Sequence, residues 1–587
     1  MHHRLRISGS RPARSALVFG GIAGLGISAS LATSGGVAAA GSSGSQAAAP
    51  ILPNHILVSK SVFAPDPNIV AGVTQLPPGC GGASDPCGTA VTGGDYPAVF
   101  NNDTVDKFFG VTSPITLEEL NPAGQVIDTI DIPAGPGGMV TSFSSKSELS
   151  VNLSTGGNAV TFMGYAAPPS ATDVSNGSTP GDVDPTDGDG ATAYRVVGQM
   201  DSTGAFQFTE TNAYSGDNGR GAILNEDGGV IYGTGNAGNG ANPEPQGVVM
   251  GAGAQLIQPS TLPESQQSPG QPTPVGSFNV TQLGDPLDKS AKDDNFRGIA
   301  VSGNVLYYTK GSGGNGVDSV YFVDTSGAAC PNGTGVPAAG ASLPTTSSLT
   351  FNPNEDGKKV DPGVVPVNMC ILSGFPTALA SKATDSTYYP FGIWFANPTT
   401  LYVADEGAGD NAYDPATSTY TAAAASTSAG LQKWTLDTTT GVWSLAYTLQ
   451  NGLNLGQPYA VPGYPTGLND GPGGTGLPWA PATGGLRNMT GRVNPNGQTV
   501  TIAATTSTVS GGGDQGADPN QVVAITDQLD ATTAPASESF RTLRPAVDAT
   551  IYRGVSFTPG TSPSPQRGPL VPPAVPDGAV LAQEPQP

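Results

Sequence analysis

Histidine is nearly missing. The 587-residue chain has three, and His2 and His3 precede an apolar N-terminal stretch, so His55 alone remains for chemistry. A Ser-His-Asp triad, a Cys-His pair or a multi-His metal site would all have to run through that one side chain. His55 lies in Pro53-Asn54-His55-Ile56, at the start of the first apparent strand, where a strand-edge role accounts for it without catalysis. Charge is scarce as well, at 12% of residues against about 25% in ordinary soluble domains. Long apolar runs and 3.6-residue periodicity are both lacking, which excludes coiled coils and multi-span membrane proteins. Basic residues are few: 23 against 46 acidic, a net charge of −23. A nucleic-acid partner is therefore not expected, because affinity for phosphate backbones rests on clustered Lys and Arg. Cysteine is limited to four residues, with neither the CxxC spacing nor the histidines of a zinc site. Walker loops, dinucleotide fingerprints and haem-attachment motifs are absent, since the Gly-rich segments lack a following helix.

What is abundant is turn chemistry. Gly 83 and Pro 54 together approach the level at which non-periodic Gly/Pro composition signals disorder, roughly a quarter of residues. At the N-terminus, Arg4, Arg6, Arg11 and Arg14 stand without an acid. A Gly-rich apolar stretch, Ala16 to Ile27, and the small residues Ala38-Ala39-Ala40 follow. This is the layout of a secretory signal peptide over 1–40, too short and too glycine-interrupted for a membrane span. Arg11 and Arg14 are not adjacent and no Cys sits near the cleavage point, so neither a twin-arginine signal nor a lipid anchor is indicated. Removing that segment leaves 19 basic residues against 46 acidic ones. The expected location is secreted, periplasmic or cell-envelope, with no transmembrane anchor after cleavage. In an oxidising compartment the four cysteines should form two disulfides, most economically Cys80–Cys87 and Cys330–Cys370.

Residues 41–52 read as a flexible leader and 560–587 as a proline-rich disordered tail, leaving a folded domain over 53–559. Within it, runs of four to eight residues rich in Val, Ile, Tyr, Phe and Thr are bounded by Gly, Asn, Asp and Pro. The fold class is all-β. Six hairpin-like segments repeat: Glu148 to Tyr165, Arg220 to Thr234, Phe296 to Lys310, Pro390 to Glu406, Asn488 to Ala503 and Ile551 to Pro559. Outer-strand candidates lie between them, among them Ile115 to Ile132, Ala193 to Thr209, Asp318 to Asp324, Gln432 to Leu449 and Gln521 to Asp527. Repeated four-stranded units with long inserted Gly/Pro/Ser loops predict a β-propeller of six blades, or seven if Ile56 to Phe63 belongs to a further one. The last unit has no downstream partner, so Tyr552 to Thr558 should close the ring on N-terminal strands such as Ala98 to Asn101 and Ile115 to Leu120.

The string Pro390-Phe391-Gly392-Ile393, followed by Leu401-Tyr402-Val403-Ala404-Asp405, resembles one repeat of the NHL and related YVTN-type propellers; Phe296 to Lys310 matches it loosely. In those families these residues make strand and turn geometry, so the resemblance implies fold rather than activity.

Aligned on their turns, the hairpins place Arg220, Arg297 and Arg553 at one corresponding position, each followed by Gly, with Glu148, Phe391 and Met489 in the other units. These side chains are expected around one mouth of the channel. There they either bind a carboxylate, phosphate or sulfated sugar together with Glu148, or tie neighbouring blades through acids such as Glu148, Asp217 or Asp294. Asp182, Asp184, Asp187 and Asp189 gather four carboxylates in one Gly-rich loop, a candidate calcium site or a solvated acidic linker, and not an EF-hand. Asp405, Glu406, Asp410, Asn411 and Asp414 form a second acidic group with the same two readings. Of the four tryptophans, Trp394, Trp434 and Trp443 fall in strand-like runs and read as packing, while Trp479 in GLPWAP is the candidate exposed platform. The functional expectation is an exported binding or scaffold protein contacting a small anionic ligand, an extracellular protein or a polysaccharide on its loop-rich face. The alternative is an extracellular propeller hydrolase or lactonase using carboxylates, with or without calcium, which needs no histidine. A surface structural protein tethered by its tail is a third reading.

Overall fold

The computed structural model describes residues 51–563 except 64–65, 71, 77–79, 82–86, 91–109, 144–148, 176, 181–191, 237–252, 261–273, 279, 286–294, 312–313, 331, 339, 347–367, 381–387, 471–474 and 512–515. Six antiparallel sheets of four principal strands follow one another around a central channel, a six-bladed β-propeller. Within blades 2 to 6 the strands follow one another outward from the channel in chain order. From channel to rim, blade 2 is Asn152–Leu153, Ala159–Tyr165, Arg195–Asp201 and Phe206–Thr211. Blade 3 is Gly219–Asn225, Val230–Gly235, Ala254–Ile257 and Pro274–Gly276. Blade 4 is Ile299–Ser302, Val305–Lys310, Ser319–Val323 and Met369–Leu372, with the short parallel strand Thr334–Gly335 at its edge. Blade 5 is Pro390–Asn397, Thr400–Asp405, Gly430–Asp437 and Val442–Leu449. Blade 6 is Ala482–Val493, Thr499–Val509, Val522–Gln528 and Arg541–Arg544.

Blade 1 closes the ring with strands from both ends of the chain. The C-terminal Thr550–Phe557 is innermost and pairs with Ile56–Val62, which pairs with Ile115–Leu120 and then Val126–Asp131. The expected pairing needs correcting in one respect and is untouched in another. Ile56–Val62 does not start a seventh blade but fills the second place in blade 1, between the closing strand and Ile115–Leu120. Ala98 to Asn101 lies outside the described residues. Thr558 and Thr561 reinforce the seam: Asn54 N donates to Thr561 Oγ1 at 2.7 Å and Gly560 N to Gly157 O at 2.8 Å. Full closure leaves only short strand edges, which suits a chain with few charges to protect them.

The largest apolar cluster spans blades 3 to 5, where Tyr308, Tyr321, Phe322, Phe296 and Phe395 pack between sheets. Trp434 and Trp443 belong to it, whereas Trp394 is only half-buried. Trp479 is not an exposed platform: it is 8% exposed and meets Tyr464 edge-on at 6.4 Å. The apolar residues around it, Val461, Phe143 and Ile551, draw the loop inward. The cysteines pair as Cys80–Cys87 and Cys330–Cys370, compatible with an oxidising compartment. Among the described residues no helix is long and apolar enough to cross a membrane.

Candidate functional site: a bulged arginine ring and the channel cavity

Four of the six innermost strands share a local defect at one end of the channel. In blade 3 the pairing register skips Arg220; in blade 1 it skips Arg553; in blade 5 it skips Phe391 and Gly392; in blade 6 it skips Arg487 and Asn488. Each skip is a β-bulge, which bends the strand and re-aims the bulged side chain. Contacts between blades define the equivalence around the ring. Ser150 N donates to Arg220 O at 3.1 Å, and Asn488 Nδ2 donates to Arg553 O at 2.6 Å. At Gly298, Gly392 and Gly554 a Cβ would strike the carbonyl oxygen of Phe391, Arg487 and Leu149 respectively. At five of the six positions the residue after the ring position thus receives the next blade's carbonyl, and glycine is required where that oxygen leaves no room for a Cβ. The ring is Leu149, Arg220, Arg297, Phe391, Arg487 and Arg553.

Arg220, Arg297 and Arg553 therefore share one position, as do Phe391 and a fourth arginine that turn-based alignment assigned to Met489. A register shift between Leu486 and Met489 displaces the count from the turn in blade 6 and puts Arg487 there instead. Glu148 lies outside the described residues, and its neighbour Leu149 holds the blade 2 position.

All six ring residues are buried, and the guanidinium groups reach across to adjacent blades. Arg220 Nη1 donates to Asn295 Oδ1 and, at 2.7 Å, to Phe296 O of blade 4. Arg553 Nη2 donates to Gly516 O at 2.9 Å and Ser142 O at 3.2 Å. Arg487 Nε donates to Glu406 Oε2 of blade 5 at 3.0 Å. Phe391 lies between two ring neighbours, with Arg297 Cζ at 5.8 Å and Arg487 Cζ at 5.5 Å from its centroid, a double cation–π contact. Burial lowers the pKa of the Arg297 guanidinium, and Glu406 offsets part of that. Nearby, Lys310 Nζ meets Asp318 Oδ1 at 2.8 Å, and burial raises the Asp318 carboxyl despite this partner. Asp405 is fully buried and its pKa is pushed up to about 7 by desolvation. Its oxygens take hydrogen bonds from Tyr389 N, Gly407 N and Gln432 Nε2.

The acidic candidates do not converge. Asp405 and Glu406 serve the contacts just given, while Asp410 and Asp414 are used on their own turns, accepting from Ala412 N and Ala416 N. Asp182, Asp184, Asp187 and Asp189 lie outside the described residues, and among those described no group of three or more His, Cys, Asp or Glu side chains is placed to hold a metal. His55 contacts Glu119 through Nδ1 at the start of blade 1.

The opposite half of the channel is open. A cavity of about 140 Å³ is lined by the turn-proximal ends of all six innermost strands and by Thr561, Ser562 and Pro563. Its walls mix apolar side chains, Ile223, Ile299, Ile393, Met489 and Phe557 among them, with neutral polar ones such as Asn152, Ser154, Ser302, Thr490 and Ser556. Arg492 and half-buried Trp394 add the distinctive groups, and among the described residues no Asp, Glu, His, Cys, Lys or Tyr lines it. None of Arg220, Arg297 and Arg553 borders this cavity. Arg492 and Trp394 escaped sequence reasoning as site residues because each looks like one more member of a strand; only closure of six blades around an axis brings them together.

No family model matches the chain, and no curated protein matches it. Among solved structures, the crystal structure of a protein from Lactobacillus plantarum is similar over 76% of this chain and 98% of that one, at 9% identity and a TM-score of 0.28. At that distance the likeness carries no argument.

Proposed function

We propose that this is an exported β-propeller that binds a small molecule in its central channel and does not transform it. The observation that carries this reading is the composition of the cavity: among the described residues its wall combines apolar and neutral polar side chains with one guanidinium, and none of them gives or takes a proton near neutral pH. Binding pockets combine apolar walls with a few placed polar groups, whereas hydrolysis by carboxylates needs two acids facing the substrate. The carboxylates of the channel sit around the arginine ring, buried and already hydrogen-bonded. Asp405, whose raised pKa would suit a general acid, is enclosed on all sides. The signal-like N-terminus and the paired cysteines support export.

The test sets turnover against binding. The full chain lacking residues 1–40 is assayed on ester, lactone and glycoside substrates and screened by thermal shift against small organic compounds. No turnover, together with a raised melting temperature for a subset of compounds, is expected. Saturable hydrolysis abolished by Asp405→Asn would overturn the reading in favour of a carboxylate hydrolase.

A further inference from the structure

Resting on the reading that the cavity is a ligand site, we infer that its ligand is a small amphipathic monoanion, with an apolar body of aromatic-ring size in the chamber and its carboxylate on Arg492. Arg492 lies at the seam of blades 6 and 1, its Cζ 5.4 Å from the Phe557 ring centroid. Its Nε is buried and has no hydrogen-bond partner. This sets it apart from Arg487, which has Glu406, and from Arg195, which is fully buried and donates to the backbone carbonyls of Asp217, Ala193 and Ser175. In a chain with twice as many acids as bases, a cavity whose one charged wall residue among those described is an arginine without an acid in its lining is complementary to an anion. A buried donor without an acceptor is destabilising, and an ionised acceptor recovers that loss and more. The guanidinium fork fits a carboxylate with two parallel bonds.

Size and wall chemistry fix the remainder of the ligand. A chamber of about 140 Å³ is close to the ~150 Å³ apolar cavity known to accept benzene. A bare inorganic anion would leave Ile299, Ile393, Met489 and Phe557 facing water. A neutral ring would leave Arg492 Nε without an acceptor. Trp394 lies flat on the blade 6 backbone, since a Cβ on Gly491 would overlap its indole, and it stacks on Tyr402 at 5.8 Å. It is therefore a fixed wall and a fluorescent reporter.

The experiment titrates the chain lacking residues 1–40 with benzoate, benzyl alcohol and sulfate, following tryptophan fluorescence and calorimetric heat. Benzoate should saturate, benzyl alcohol should bind at least about tenfold more weakly, and sulfate should neither bind nor displace benzoate. Arg492→Met should bring benzoate down to the level of benzyl alcohol while leaving the alcohol unchanged. Should that variant fold poorly, Arg492→Lys, which keeps the charge but not the fork, should reduce the preference for benzoate. Ala300→Phe, which adds bulk at another wall residue of the chamber, should abolish binding of both organic probes. Equal binding of the two organic probes, survival of the preference in both Arg492 variants, or displacement of benzoate by sulfate would overturn the monoanion assignment while the cavity reading stands. No binding by either organic probe would overturn the cavity reading itself, and the assignment with it.

Discussion

At the scale of the residue, the ring arginines are held between structural and ligand-binding chemistry, and burial decides which prevails. A guanidinium offered to a ligand keeps free donors at a solvent face; Arg220, Arg487 and Arg553 instead donate to the neighbouring blade's carbonyls or carboxylate while buried. Arg487 provides the sharpest test, because its loss strands Glu406 in a buried position. Arg487→Met should destabilise the fold by about 3–5 kcal/mol, the usual consequence of leaving one member of a buried ion pair uncompensated. Adding Glu406→Gln to it should restore a large part of that. Urea denaturation of the two single variants and the double variant measures both, and an unchanged midpoint in the Arg487 variant would show that the ring is not a lock between blades. Arg492, by contrast, is legible as a different kind of arginine only from its surroundings in the channel.

At the scale of the element, the recurring device is the bulged inner strand, and its outer counterpart is a polar clamp between sheets. Lys433 of blade 5 and Asp527 of blade 6 are both fully buried, 3.2 Å apart. Tyr402 and Tyr447 donate their hydroxyls to Asp527, and Lys433 Nζ also reaches Gln528 O at 2.6 Å. The tyrosine pKa values are raised by burial first and by this carboxylate second, so both remain donors across the accessible pH range. Every partner is satisfied, the condition under which a buried network rigidifies a junction. Lys433→Met should cost about 3–5 kcal/mol, and more than any exposed lysine change. A double-mutant cycle with Asp527→Asn should give a coupling of at least about 1 kcal/mol, while additive effects would show that the clamp acts as two unrelated contacts. None of this was legible from sequence: Lys433 and Asp527 are one more polar residue each in alternating strands, and their meeting depends on how adjacent sheets twist against one another.

At the scale of the whole molecule, stability rests on closure, because blade 1 is completed by Thr550–Phe557 pairing with Ile56–Val62 from the other end of the chain. Arg544 Nε of blade 6 joins the seam through Glu118 Oε2 at 2.8 Å, and Lys60 Nζ meets Glu118 Oε1 at 2.7 Å. A chain ended at Ala549 should therefore lose its cooperative thermal transition, and a synthetic peptide covering 550–563 should restore it by refilling the strand. A full, cooperative transition without the peptide would mean that the ring does not depend on its seam. Closure also makes the cavity, since it takes the turn ends of six strands to surround it, and removing the innermost strand of blade 1 opens its wall.

Sequence alone determined the all-β class, the six repeating hairpins, the division into channel and outer strands, and the shared position of Arg220, Arg297 and Arg553. These follow from local rules: alternation over short runs, turn residues between them, and repetition. It did not determine the place of Ile56–Val62, the ring residue of blade 6, or the burial of Trp479. Each depends on something a linear reading does not carry: which distant strand has a free edge, where a bulge adds residues to the count, and which loop folds back over an apolar patch. The site belongs to that second group entirely. Arg492, Trp394 and Phe557 acquire a common function only when six blades bend into a closed ring, because the chamber they line exists nowhere in any one blade.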